Sequence, residues 1–235
     1  MGASTQVPDF KVGILALQGA VREHVEVFSR LGVEAVAVTD QATLDEVDAL
    51  VLPGGESTAI SRLLETSGLL EPVRRRVKDK IPTFGTCAGM ILLARSVSDG
   101  RPDQHQLDGI DIDVRRNAFG RQVDSFETDL VVDGLPAESR TRTSGRASGR
   151  ALGAFHAVFI RAPLVERVGP RVEVLASVEG SDGVRRAVLC REGSCLVSAF
   201  HPELSGDLRL HEMFLESALD SHVKVPASTA SRSKQ

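Results

Sequence analysis

Three short segments carry residues able to do covalent chemistry together. The first is Gly85-Thr86-Cys87-Ala88-Gly89. A nucleophile flanked by glycines, between a strand and a helix, sits on a sharp turn that projects its side chain at the strand's C-terminal end. The helix that follows offers free N–H groups and a positive dipole, which favour a thiolate and a developing oxyanion. The second segment is His201-Pro202-Glu203. Two residues apart on extended chain, the side chains point the same way, so the carboxylate can orient the imidazole and stabilise its charged form. The third is Pro53-Gly54-Gly55-Glu56-Ser57-Thr58. Its paired glycines expose backbone N–H groups to a carboxylate or an oxyanion. It lacks the Gly-Lys-Ser/Thr ending of a phosphate loop. Plainer readings stand beside these: Cys87 as a small buried hydrophobe, His201-Pro202-Glu203 as a capped loop, Ser57 as a helix N-cap. No third ligand stands at a metal-binding spacing, so no metal is expected. Taken together, a Cys nucleophile, a His base, a Glu orienter and an oxyanion nest describe acyl transfer through a thioester.

The elements that must position these residues follow from hydrophobic patterning. Short apolar runs at residues 12–17, 33–38, 49–52 and 81–84 read as buried parallel strands. Helical spacing at residues 20–31, 57–70, 72–80 and 88–95 alternates with them. That alternation predicts an α/β fold: a three-layer, open, mostly parallel sheet with helices on both faces. The second half carries strand signals at residues 110–114, 128–132, 157–160, 172–178, 187–191 and 195–200, with short connections that suggest antiparallel additions. A closing helix is expected over 209–219. All three chemical segments then fall at C-terminal strand ends, where open α/β sheets build their sites.

Residues 11–220 read as one domain, with flexible termini at 1–10 and 221–235 and a surface insertion at 138–154 rich in Arg, Ser and Gly. Of 235 residues, 28 are Lys or Arg and 32 are Asp or Glu, giving a net charge of -4. That balance shows no nucleic-acid footprint. With nine Phe but no Trp or Tyr, a stacking platform is also disfavoured. Three cysteines argue against a disulfide framework and fit a reducing compartment. No apolar run is long enough for a membrane span, and no leader pattern is seen. The expectation is a cytoplasmic protein.

The chemical segments resemble the class I, or triad, glutamine amidotransferases, which have a flavodoxin-like fold and the order Cys, His, Glu. The resemblance narrows with Leu17-Gln18-Gly19-Ala20-Val21-Arg22-Glu23-His24, with Arg116-Asn117 and Phe119-Gly120-Arg121-Gln122, and with Phe159-Ile160-Arg161-Ala162-Pro163. These runs are similar to those of the PdxT family, the glutaminase subunits of pyridoxal 5′-phosphate synthase. The resemblance implies that Cys87 attacks the carboxamide of L-glutamine, that His201 moves the proton and that Glu203 holds His201. It implies substrate contacts from Gly54, Gly55, Glu56, Arg116, Ile160 and Arg161. It places the backbone N–H groups of Gly55 and Ala88 in an oxyanion hole, which Gln18 helps reorganise when a partner docks. It further implies no cofactor, and ammonia passed to a synthase subunit of the PdxS family in a large hetero-oligomer that makes vitamin B6. From the residues alone, a guanidinium at Arg116 or Arg161 suits an α-carboxylate or, equally, a surface ion pair. Two alternatives keep the sequence features: a Cys hydrolase or glutaminase of the same fold serving another pathway, and a non-enzymatic binding module.

Overall fold

The computed structural model describes residues 10–101, 103–116, 125–137, 153–180 and 182–224. Nine strands and helices build the first half: β1 (Lys11–Leu15), α1 (Val21–Arg30), β2 (Glu34–Val38), α2 (Gln41–Asp45), β3 (Ala49–Leu52), α3 (Ser57–Thr66), α4 (Leu70–Lys78), β4 (Thr83–Thr86) and α5 (Ala88–Leu93). Then come β5 (Ala94–Val97), β6 (Ile110–Arg115), β7 (Ser125–Leu130), β8 (Phe155–Ile160), β9 (Leu164–Val168), β10 (Glu173–Glu179), β11 (Arg185–Glu192), β12 (Cys195–Ser198), a 3-10 turn (Pro202–Leu204) and α6 (Arg209–Lys224).

The main sheet has seven strands in the order β10-β11-β12-β4-β3-β1-β2. From β12 to β2 every pairing is parallel, while β10 and β11 add antiparallel strands at one edge. This is the expected mostly parallel sheet with antiparallel additions. Every residue of β3, β4 and β12 is buried, as strands covered on both faces must be. Side-chain alternation along β4 shows the layers. Phe84 meets His211 and Phe214 of α6 at ring distances of 5.6 and 5.4 Å. Gly85 points to the other face, where a Cβ would lie 2.6 Å from Leu93 Cδ1 and 2.7 Å from the Gly89 carbonyl carbon of α5. The glycine is what lets α5 lie so close to the sheet. Beside this sheet stand a three-stranded sheet (β5-β6-β9) and the β7-β8 hairpin. The hairpin carries Ile160 and Arg161 at its exit.

Several boundaries differ from the sequence expectation. The helix begun at Ala88 ends at Leu93, and residues 94 and 95 turn into β5, because Ala94 adopts an extended conformation (φ -59°, ψ 152°) and pairs with Ile110. The short α2 and the short strand β9 carry too few residues for a periodic signal and were not anticipated. β7 starts three residues earlier than expected and ends before Val131, which is 83% exposed. Two corrections concern the termini. Phe10 is buried rather than flexible, and α6 continues through 221–224, where His222 meets the Phe10 ring edge-on at 5.5 Å. Residues 1–9, 117–124, 138–152 and 225–235 lie outside the described residues, and with them Asn117, the Phe119-Gly120-Arg121-Gln122 run and most of the expected insertion. Both stems of 138–152 are described. The Arg209 guanidinium, nearly buried and paired with Asp207 at 2.6 Å, donates to the carbonyls of Pro136, Ala137, Gly153 and Ala154. One side chain therefore closes the base of the segment.

Candidate active site

Cys87 occupies the turn between β4 and α5 with φ 48° and ψ -100°. A non-glycine residue at positive φ is strained, at a cost of about 1–3 kcal/mol, and persists only where its surroundings hold it. Here the Cys87 N–H donates to the Ser198 carbonyl of the neighbouring strand β12 at 2.8 Å. Gly89 allows α5 to start against β3, since a Cβ there would lie 2.0 Å from the Leu52 carbonyl oxygen. The turn aims the thiol at the cleft, where Sγ lies 3.8 Å from the Ile160 carbonyl. Ala88 is the first residue of α5, so its N–H has no partner within the helix.

β12 lies parallel to β4, and the chain leaving it delivers His201 beside Cys87. The His201 N–H donates to the Val158 carbonyl at 2.8 Å, which ties it to the hairpin. His201 Nδ1 meets Glu203 Oε1 at 2.7 Å. Burial opposes charge on His201, but the neighbouring Cys87 sulfur and Glu203 carboxylate prevail and push its pKa up to about 10. Burial likewise works against the Glu203 anion, yet His201 and the nearby His24 keep its pKa below the ordinary value. A thiol, an imidazole and a carboxylate thus stand together at the strand ends.

The Gly54-Gly55 segment at the end of β3 forms the opposite wall. A Cβ on Gly54 would lie 2.4 Å from His201 Cε1, and one on Gly55 would lie 2.5 Å from Gln18 Oε1. Gln18 Oε1 accepts the Glu56 N–H at 2.8 Å. Glu56, rather than Ser57, is the N-cap of α3, accepting from the N–H groups of Thr58 and Ala59 at 3.1 and 2.6 Å. Arg116 reaches over from the end of β6, donating to Glu56 Oε1 at 2.9 Å and to Thr58 Oγ1 at 2.7 Å. Against the cost of burial, these donors hold the Glu56 pKa below its usual value. Arg116 is therefore engaged in an ion pair at the cleft wall. Arg161 follows the hairpin at φ 45° and is exposed at the mouth.

These groups surround a cleft of about 290 Å³, room for a molecule of amino-acid size. The expected site residues line it except Glu203, which stands behind His201, and Ala88, which packs beneath the turn. Cys190 and Cys195 are buried away from the cleft, and burial pushes both thiols up to about 12. Among the described residues no cluster of His, Cys, Asp and Glu is arranged to hold a metal, and no helix is long and apolar enough to cross a membrane. Sequence reasoning overlooked one group. His24 and His211, both fully buried, meet behind Glu203 with Nδ1 to Nε2 at 3.1 Å. A signal existed: His24 falls on the apolar face of α1, at helical spacing with Val21, Val27 and Phe28.

Comparison with known proteins places this geometry. The SNO glutamine amidotransferase family matches residues 14–220. The chain is 53% identical over 205 residues to "Pyridoxal 5′-phosphate synthase subunit PdxT" of Nocardia farcinica, covering 87% of this chain and 84% of that one. It is 54% identical over 206 residues to the protein of the same name in Frankia alni, covering 88% and 94%. A solved glutamine amidotransferase superposes with a TM-score of 0.75 at 47% identity, covering 88% of this chain and 98% of that chain. A solved structure described as a GMP synthase component from Thermoplasma acidophilum shares the fold at a TM-score of 0.59 and 16% identity, covering 92% and 96%.

Proposed function

The chain belongs to the SNO glutamine amidotransferase family, and from that premise we propose that Cys87, His201 and Glu203 are the triad with which it hydrolyses L-glutamine. It is a glutaminase that supplies ammonia for pyridoxal 5′-phosphate synthesis, working together with a synthase. The synthase partner belongs to the PdxS family and forms a large hetero-oligomer with this chain, and ammonia passes to it without release to solvent.

In the reaction, His201 Nε2 holds the proton given up by the Cys87 thiol, and Cys87 Sγ attacks the side-chain carboxamide carbon. The carbonyl oxygen becomes an oxyanion facing the N–H groups of Gly55 and Ala88. One such donor is commonly worth about 10²–10³ in rate. The tetrahedral species collapses, the C–N bond breaks, and His201 gives its proton to the departing amine, leaving ammonia and a Cys87 thioester. Water then attacks the thioester carbon, with His201 as base, and L-glutamate leaves as the thiol is restored. Throughout, Glu203 holds the Nδ1 side of the ring and stabilises its imidazolium form. Arg161, with Gly54, Ile160 and the Glu56–Arg116 pair, holds the amino-acid end of the substrate. Gln18 rests against Gly55, so a partner that shifts Gln18 changes how the Gly55 N–H is presented.

The observation that carries this reading is the strained turn of Cys87 facing the His201–Glu203 pair at 2.7 Å. The test is ammonia release from glutamine in the presence of the synthase. Cys87→Ala should abolish it while leaving the fold and the partner complex intact. Full activity in that variant would overturn the assignment.

A further inference from the structure

Behind the triad lies a polar chain that the reaction as described does not use. Glu203 Oε1 is taken by His201, but Oε2 is buried and makes no hydrogen bond among the described residues. His24 Nε2 lies 3.5 Å from it, and both side chains are fully inaccessible. The same His24 Nε2 lies 3.2 Å from Thr86 Oγ1. Thr86 Oγ1 in turn accepts the Gly54 N–H at 3.0 Å, on the cleft wall. On its other side, His24 Nδ1 meets His211 Nε2 at 3.1 Å, and His211 Nδ1 has no partner among the described residues.

The Glu203 carboxylate selects one arrangement. Burial lowers the pKa of both His24 and His211 to about 3, against the pull of Glu203 on His24, so each ring is neutral and carries one N–H. If His24 carried its proton on Nδ1, His211 would need its own on Nδ1, buried without an acceptor, and a bare His24 Nε2 would face the Glu203 carboxylate. Both features are costly. With the protons on His211 Nε2 and His24 Nε2, the first donates to His24 Nδ1 and the second points at Thr86 Oγ1 and Glu203 Oε2. Among the described residues the Thr86 hydroxyl hydrogen and His211 Nδ1 are then left unpaired, but the Glu203 carboxylate faces an N–H and not a ring lone pair.

We propose that His24 is a positioning residue: its Nε2–H anchors the free oxygen of Glu203 and so fixes the plane in which Glu203 presents His201 to Cys87, while His211 sets its tautomer. The proposal rests on the triad assigned above. The groups facing Glu203 are His201 from its own turn and His24 from α1, with His211 of α6 behind His24. Without the His24 donor, the buried carboxylate binds a proton more readily and, once protonated, no longer supports the imidazolium.

Glutamine and asparagine at position 24 separate the two ring nitrogens, because the Gln amide nitrogen reaches about as far as Nε2 and the Asn nitrogen only as far as Nδ1. With the synthase present, His24→Gln should keep kcat within about three-fold of the parent. His24→Asn should lose at least about ten-fold in kcat, with KM little changed. In the protein alone, the acid limb of iodoacetamide labelling at Cys87 should move up by about one pH unit in His24→Asn only. Equal losses in the two variants with an unmoved limb, or no loss in either, would overturn the proposal. Nitrogen-15 histidine spectra of the unmutated protein, which need no variant to fold, should show His24 as the Nε2–H tautomer, and the Nδ1–H tautomer would overturn it. Cys87→Ala reports on the triad separately, so failure of this inference is distinguishable from failure of that reading.

Discussion

Gly54→Ala puts the geometry of the cleft to a quantitative test. The new Cβ would lie 2.4 Å from His201 Cε1, 2.9 Å from Nδ1 and 3.3 Å from Cys87 Cβ. Carbon atoms settle at about 3.5–4.0 Å, so the imidazole must retreat by about 1 Å or more. His201 cannot move as a block, because its N–H is bound to the Val158 carbonyl at 2.8 Å and its Nδ1 to Glu203 at 2.7 Å. The ring must turn instead, and its line to Cys87 is lost. A misplacement of about 1 Å costs roughly 10²-fold, or about 2.7 kcal/mol of transition-state stabilisation. Overpacking adds about 1–3 kcal/mol to the stability cost, which a folded domain of this size can absorb. The assay is steady-state ammonia release with the synthase present, alongside a thermal melt. We expect kcat to fall about 100-fold in a protein that still folds. Gly55→Ala probes the other side of the cleft: its Cβ meets Gln18 Oε1 at 2.5 Å and Gly19 Cα at 3.1 Å and leaves His201 untouched, so its loss reports on Gln18 and the Gly55 N–H and not on the imidazole. A Gly54→Ala enzyme keeping more than about a third of the parent kcat would refute the argument, because the 10²-fold expectation would then have failed outright.

Stability should peak near neutral pH. His24 and His211 are buried neutral with pKa values of about 3, so below the unfolded value of about 6.5 only the unfolded chain binds their protons. Each then removes about 1.4 kcal/mol per pH unit as the pH falls from about 6.5. His201 has the opposite sign: its pKa of about 10 stabilises fully below about 6.5, and that support fades as the pH rises through 10. Melting temperatures that stay flat from about pH 5 to 9 would contradict this pattern. Alkylation of the native protein should label Cys87 and spare Cys190 and Cys195 until denaturant is added, read by peptide mass spectrometry. Rapid native labelling of either buried thiol would show that burial does not protect it. Arg209→Lys should destabilise by about 2–3 kcal/mol, because an ammonium cannot serve Asp207 and four carbonyls together. At this chain length that is a melting shift of roughly 5–10 °C, and an unchanged melt would discount the clasp.

Much of the site was legible because its chemistry is local. Cys87 announces itself by the glycines on either side, which the sharp turn and the close approach of α5 require. His201 and Glu203 are two residues apart, so one short turn brings Nδ1 and Oε1 together. Parallel strands declared themselves through continuous apolar runs, as strands covered on both faces must. The elements that escaped notice were α2, β5 and β9, of five, four and five residues. Ala94 and Arg95 continue the apolar helical pattern, and only pairing with β6 makes them strand.

The sequence by itself determined which residues are candidates for the chemistry and which strand ends carry them, since nucleophile, base and nest each need a fixed local spacing. Only the tertiary structure decided what stands behind them. His24 and His211 are 187 positions apart, and nothing in either neighbourhood names the other. They meet because α1 and α6 share the face of the sheet that Phe84 points into. Once buried there, three of their four ring nitrogens meet one another, Thr86 or Glu203. The same holds for Arg116, which the sequence left between substrate contact and ion pair and which the fold brings to Glu56. Desolvation and long-range packing set these pairings, and neither is written in any local pattern.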